Sequence, residues 1–321
     1  MKENSFNISH SDNFNELMIH RVHEILLVAS PYDAFILEED GGLTEQIMTE
    51  YIGMNFNYAP RVTRSSTAAS AMNDLSKNNF DLVIVMLRIE DTDPISLGKS
   101  IKKKYPNMPV ILLAFDETEI KQFTPRISPS SINRIFIWSG DASVFPAIIK
   151  YVEDRKNAEK DIIQGNVRAI ILIEDSPRMY SILLPLIYRE IVSLTKTLMK
   201  KTFSSTYKSM HLRGRIKVLL TPNFETAEKF SNKYGDNIVG IISDVKFPRR
   251  NILDENSGFE FAKWVLKKDP SMPLVLQSNN LLNRKKANEL NLNIEFLQSN
   301  IEGEIINKIH ESKEFDGIIL N

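Results

Sequence analysis

Short apolar runs recur along the chain, each ended by a turn signal and followed by residues with helical spacing. Ile25-Leu26-Leu27-Val28 is stopped by Ser30-Pro31, and helical periodicity then extends to about Tyr58. The pattern predicts a buried strand followed by one long helix. It continues with a strand at Arg61-Val62-Thr63, a helix from Thr67 to Lys77, a strand from Leu82 to Met86 and a helix from Ile95 to Lys104. Val110 to Leu113 and Ile135-Phe136-Ile137-Trp138 supply two more strands, and Ala142 to about Lys156 a further helix. Strands that are apolar throughout and alternate with helices predict a parallel sheet covered on both faces.

After the charged stretch from Glu153 to Asp161 and Gly165-Asn166, the pattern restarts. Ile170-Ile171-Leu172-Ile173 is again a four-residue apolar strand, followed by Ser176-Pro177, a cap with proline at the first helical position. A long helix runs towards Lys201, with Leu183, Ile187, Ile191, Leu194 and Leu198 on one face. Lys217 to Leu220, Gly240 to Ser243, Leu274 to Leu276 and Glu295 to Leu297 read as the later strands. Two segment pairs make the repeat concrete: Tyr105-Pro106-Asn107-Met108-Pro109-Val110 against Asp269-Pro270-Ser271-Met272-Pro273-Leu274, and Phe80 to Met86 against Asn237 to Asp244. The repeat is a whole domain long, which makes it a duplication. The expected organisation is a flexible polar arm over 1–20, a first domain over 21–156, a linker over 157–167 and a second domain over 168–321. The fold class is α/β, with two doubly wound five-stranded parallel sheets in tandem.

A hydrophobic content of 42% is enough for each domain to bury its own core. With 40 basic against 41 acidic residues, the chain has no overall field to favour nucleic acid or an anionic membrane. The absence of cysteine excludes disulfides and thiolate metal sites. The opening residues lack the apolar core of a signal peptide, and no run approaches the ~18 residues that span a bilayer, so a cytoplasmic protein is expected. Five histidines show no metal-ligand spacing, and no glycine-rich phosphate loop follows a strand. An enzyme on this architecture would lack a recognisable catalytic base or cofactor motif.

In an open α/β sheet, ligands gather beyond the carboxyl ends of the strands. In the second repeat those ends carry Glu174 and Asp175, then Asp244, Ser278 and Ser299. Three converging carboxylates repel one another, and a hard cation with oxygen ligands, such as Mg²⁺, relieves that repulsion. One of them can then act as nucleophile towards a phosphoryl group. Glu174 and Asp175 equally suit a helix amino terminus, and Ser278 and Ser299 equally suit ordinary loops. Lys196, Lys200, Lys201, Lys208, Arg213, Arg215 and Lys217 read as a solvated face, with an acidic partner as the alternative.

Ile-Leu-Ile-Glu-Asp-Ser at 171–176 and Ile-Ile-Ser-Asp-Val-Lys-Phe-Pro at 241–248 resemble the receiver domain of bacterial response regulators. The resemblance covers about 150 residues. It implies Glu174 and Asp175 as the acidic metal pair, Asp244 as phospho-acceptor and third metal ligand, Ser278 as switch hydroxyl and Mg²⁺ as a weakly held cofactor. Gly258 fits the family's glycine before its third helix, while the loop from Arg249 to Ser257 is longer than usual. The family ends its fifth strand with a lysine, where Phe296-Leu297-Gln298-Ser299-Asn300 places Ser299. The first repeat ends its strands on Ala29-Ser30, Met86, Ala114 and Trp138, and resembles the family in fold only, as a pseudo-receiver. The string from Ser30 to Gly41 and the ending Leu87-Arg88-Ile89 are similar to the regulatory region that precedes phosphoenolpyruvate-synthase-like phosphotransferase modules. The expected function is a signalling module whose second domain binds Mg²⁺ and takes phosphate on Asp244 from a histidine kinase or small phosphodonor and whose first is an interaction domain, with a protein partner or phosphotransferase module expected for the chain. The alternative is a non-phosphorylated scaffold whose long first helices mediate assembly, a homodimer included.

Overall fold

The computed structural model describes residues 17–39, 42–53, 59–121, 123–200, 214–278, 280–289 and 295–297. It divides into two compact units. One consists of His20–Glu153 with Pro177–Tyr188; the other consists of Asp154–Ser176 with the described residues before His20 and after Tyr188.

The first unit runs β1 (Glu24–Val28), α1 (Pro31–Glu39), α2 (Leu43–Gly53), β2 (Arg61–Ser65), α3 (Ala68–Lys77), β3 (Leu82–Met86), α4 (Pro94–Lys104), β4 (Val110–Ala114), α5 (Glu117–Ile120), β5 (Arg134–Ile137) and the start of α6 (Val144–Ile163). Its strands are parallel in the order β2-β1-β3-β4-β5. β3 and β4 are buried at every position, as strands covered on both faces must be, whereas the edge strand β2 mixes exposed and buried residues. Thr67 and Ser70 form a capping box at the start of α3, and Asp93 with Pro94 starts α4. The single long helix expected from Pro31 to Tyr58 is instead two helices. Gly42, with a φ of 54°, donates its N–H to the Glu38 carbonyl and ends α1, a left-handed conformation that glycine adopts without steric cost.

The second unit contains β6 (Ala169–Ile173), the second half of α7 (Pro177–Lys200), β7 (Lys217–Thr221), α8 (Phe224–Tyr234), β8 (Ile238–Asp244), β9 (Phe247–Arg249), β10 (Ile252–Asp254), α9 (Ser257–Lys268), β11 (Leu274–Gln277), α10 (Leu281–Glu289) and β12 (Glu295–Leu297). The main sheet has the order β12-β11-β8-β6-β7, the counterpart of the first strand for strand. Both sheets therefore have the flavodoxin-like order 2-1-3-4-5, with the topological switch between their first and third strands.

α7 is as long as its apolar stripe predicts, and its first half has an unexpected place. Pro177–Tyr188 belongs to the unit of the first sheet, where Ser181 Oγ accepts the Ile137 N–H at 2.9 Å and the Tyr180 hydroxyl donates to the Ile135 carbonyl. The Tyr180 ring stands edge-on to Phe136 at 5.4 Å. Leu183, Leu184 and Ile187 are buried.

α6 continues to Ile163, so helix occupies most of the segment expected as a linker. Its acids hold it to the second sheet: Lys217 Nζ lies 2.8 Å from Asp161, Arg215 lies 2.8 Å from Asp154, and the Val218 N–H donates to Asp154 at 2.9 Å. Arg215 and Lys217 are thus buried and paired, not part of a solvated basic face. Asp161 also accepts the Met18 N–H at 3.1 Å, and Leu17 and Met18 are buried, so the end of the expected arm is anchored. Residues 1–16 lie outside the described residues.

Candidate functional site

β6 and β8 are neighbours in the second sheet, and both deliver their carboxyl ends to the same edge. Glu174 follows β6 directly, tied by its N–H to the Thr221 carbonyl at 3.0 Å, and Asp175 follows it; Asp244 closes β8. One ligand oxygen from each of the three lies within 4.8 Å of the others, and among the described residues no other trio of His, Cys, Asp or Glu converges so closely. The acids that the sequence singled out for a cation do share one place.

Their electrostatics follow from crowding. Glu174 is buried, and that burial, with the charges of Asp244 and Asp175, pushes its carboxyl up to about 8; the Ser176 N–H, which donates to it at 3.0 Å, works in the opposite direction. Asp244 is pushed up to about 6, mainly by burial and then by Asp175, against the Val245 N–H that donates to Oδ1 at 2.7 Å. Hard carboxylate oxygens held this close are a donor set that suits an ion of the Mg²⁺ type.

The register pairs Gln277 of β11 with Asp244 of β8, so buried Ser278 lies one residue past the level of Asp244 on the neighbouring strand. Its oxygen accepts the Asn280 N–H at 3.1 Å and the Asn283 side-chain amide at 2.8 Å, which leaves the hydroxyl proton as a donor. Gly258 is where the chain must come close. A Cβ there would meet the Asp244 carbonyl oxygen at 2.5 Å, and its own N–H donates to the Val245 carbonyl at 2.9 Å. The long loop from Arg249 to Ser257 contains half of a small antiparallel hairpin, β9 with β10. Ser299 lies outside the described residues.

The same edge of the first sheet is built differently, in a way the strand endings alone did not reveal. Asp33, at the third position of α1, is 1% exposed, and its carboxylate lies 3.5 Å from Arg88, two residues past β3. Arg88 also reaches Glu119 of α5 at 3.1 Å. A guanidinium therefore occupies the space between two carboxylates. Burial raises the Asp33 pKa, while the hydrogen bond to Ser30 and the charge of Arg88 lower it. Ser30 Oγ accepts the Asp33 N–H at 3.1 Å, so this acid stands at an ordinary helix start. The signal was Arg88, a lone cation just past a buried strand. Trp138 packs against Phe115 at 5.4 Å between ring centres, filling space at the end of β5.

Residues 275–321 match the family described as Dehydroquinase class II. The chain is similar to the 3-dehydroquinate dehydratase of Caldicellulosiruptor saccharolyticus, 64% identical over 39 residues that make up 12% of this chain and 27% of that protein. It is similar to the corresponding enzyme of Fusobacterium nucleatum, 67% identical over 33 residues, 10% of this chain and 22% of that protein. The chain spans about a quarter of the length of the curated relatives it matches. Among solved structures, it resembles the signal receiver domain of an HD domain-containing protein from Pseudomonas fluorescens, with 20% identity, a TM-score of 0.33, and coverage of 44% of this chain and 95% of that one. It also resembles the receiver domain of a signal transduction histidine kinase from Syntrophus aciditrophicus, with 19% identity, a TM-score of 0.31, and coverage of 41% and 91%.

Proposed function

We propose that the chain is a response-regulator-type signalling module in which the second domain binds Mg²⁺ through Glu174, Asp175 and Asp244 and takes a phosphoryl group on Asp244. The observation that carries this reading is the convergence of those three carboxylates within 4.8 Å at the strand ends of a flavodoxin-like sheet. Bound there, the cation supplies positive charge to the acids and to the phosphoryl oxygens. In the transfer, an Asp244 oxygen bonds to phosphorus while the bond from phosphorus to the donor's leaving atom breaks, an oxygen in acetyl phosphate or an imidazole nitrogen in a histidine kinase, and the Ser278 hydroxyl donates to a phosphoryl oxygen. The first domain, with Arg88 set between Asp33 and Glu119, serves as an interaction domain that needs no cation.

The test uses beryllofluoride, a phosphoryl mimic, with fluorine NMR on the whole chain. A bound fluoride signal that needs Mg²⁺ and disappears in Asp244→Asn is the expected result. A signal that survives Asp244→Asn refutes the assignment. With Ser299 at the position of the family's lysine, labelling by acetyl phosphate should be slow, and Ser299→Lys should speed it.

The match of residues 275–321 favours a second reading, in which the end of the chain belongs to a dehydratase of the dehydroquinase type. A segment equivalent to about a quarter of such an enzyme is not expected to turn over 3-dehydroquinate. Enone absorbance appearing above background on addition of that substrate would reverse the preference between the two readings.

A further inference from the structure

Between Asp244 and α9 the chain makes a detour. Arg250 and Asn251 both have positive φ, 53° and 64°, the two-residue type I′ turn that fits the twist of a hairpin, and they join β9 to β10. Phe247 is fully buried at the start of β9, whereas Ile252 and Leu253 on β10 are 72% and 53% exposed. The root of this hairpin is closed by one ion pair: Lys246, the residue before β9, reaches Glu255, the residue after β10, with 3.1 Å from Nζ to Oε1. Lys246 is also two residues from Asp244; its backbone N–H and its charge both favour the ionised form of that carboxylate. One exposed lysine thus stands between the acceptor and the closure of the hairpin.

An exposed ion pair is weak, and a competing charge of greater size can take its lysine. A phosphoryl group adds roughly −1.5 to −2 units of charge. Where the family relies on a fifth-strand lysine to answer that charge, this chain has Ser299. We propose that Lys246 answers it instead, leaving Glu255 for the phosphoryl oxygens on Asp244 and so releasing the root of the β9–β10 hairpin. The inference rests on Asp244 accepting a phosphoryl group, and it names the element that responds.

Amide spectra of the whole chain, recorded with Mg²⁺ and with and without beryllofluoride, test it in wild type, Lys246→Met and Glu255→Gln. In wild type the mimic shifts the amides of Asp175 and Asp244 together with those of residues 247–254. In Lys246→Met the shifts at Asp175 and Asp244 persist, while those of the hairpin collapse. In Glu255→Gln, with the competitor removed, the mimic binds about two- to fivefold tighter, the worth of an exposed ion pair. Hairpin shifts undiminished in Lys246→Met, or an affinity in Glu255→Gln no higher than in wild type, overturn the role of Lys246 and leave the receiver reading intact. No shift at Asp175 or Asp244 in wild type overturns both.

Discussion

A carboxyl group buried beside two others keeps its proton longer than one in water, and the pH dependence of folding carries that signature. Glu174 rises from its ordinary 4.5 to about 8, and Asp244 from 3.8 to about 6, chiefly through burial. The folded chain then holds more protons than the unfolded one in that range, so without divalent cation its stability should fall as pH rises from about 4.5 to 8, then level off. Millimolar Mg²⁺ should flatten the slope, because it stabilises the ionised acids. Urea unfolding at a series of pH values, with Mg²⁺ and with chelator, checks this; a stability that climbs over the same range in chelator contradicts it. Gly258→Ala tests the same corner sterically. A Cβ placed 2.5 Å from the Asp244 carbonyl oxygen and 2.8 Å from the Val245 Cα has only backbone to push against. The expected loss is about 1–3 kcal/mol, with weakened cation binding because the Asp244 peptide must shift.

At the scale of elements, the sequence was most readable where one cause dominated. Continuous apolar runs such as Leu82–Met86 and Ala169–Ile173 are central parallel strands with every side chain buried, and the expected endings put Glu174, Asp175, Asp244 and Ser278 at one edge. Reading failed where distant partners decide. Helical spacing continues across Gly42, yet the backbone turns there. The charged residues from Asp154 to Asp161 read as a helix running out into a linker, but Lys217 and Arg215, far along the chain, bury and neutralise two of them. The buried Asp33 was hidden by its ordinary place at a helix start. The hairpin after Asp244 was visible only as excess loop length, since Arg250-Asn251 is not the Asn-Gly pair that usually announces such a turn. The buried ion cluster makes its own prediction. Lys217→Met removes the cation paired with buried Asp161 and should cost about 3–5 kcal/mol, read as a lower urea midpoint with an unchanged slope. A change of a few tenths of a kcal/mol would contradict a stabilising role for this pair.

At the scale of the whole molecule, one sheet order occurs twice with different occupants at the functional edge. The second sheet gathers three acids, the site proposed for a cation, and the first sets Arg88 between two acids. The two edges thus answer their acids differently, since a guanidinium can neutralise carboxylates without any exchangeable ion. The most direct test of this asymmetry is titration of the metal-free chain with Mn²⁺, followed by paramagnetic broadening of its amide spectrum. The account predicts selective broadening of Glu174, Asp175 and Asp244 and their neighbours at low Mn²⁺, reversed by excess Mg²⁺, with Ser30, Asp33 and Arg88 unaffected. Equal broadening around Asp33 and Arg88, or none at Asp175 and Asp244, would contradict it.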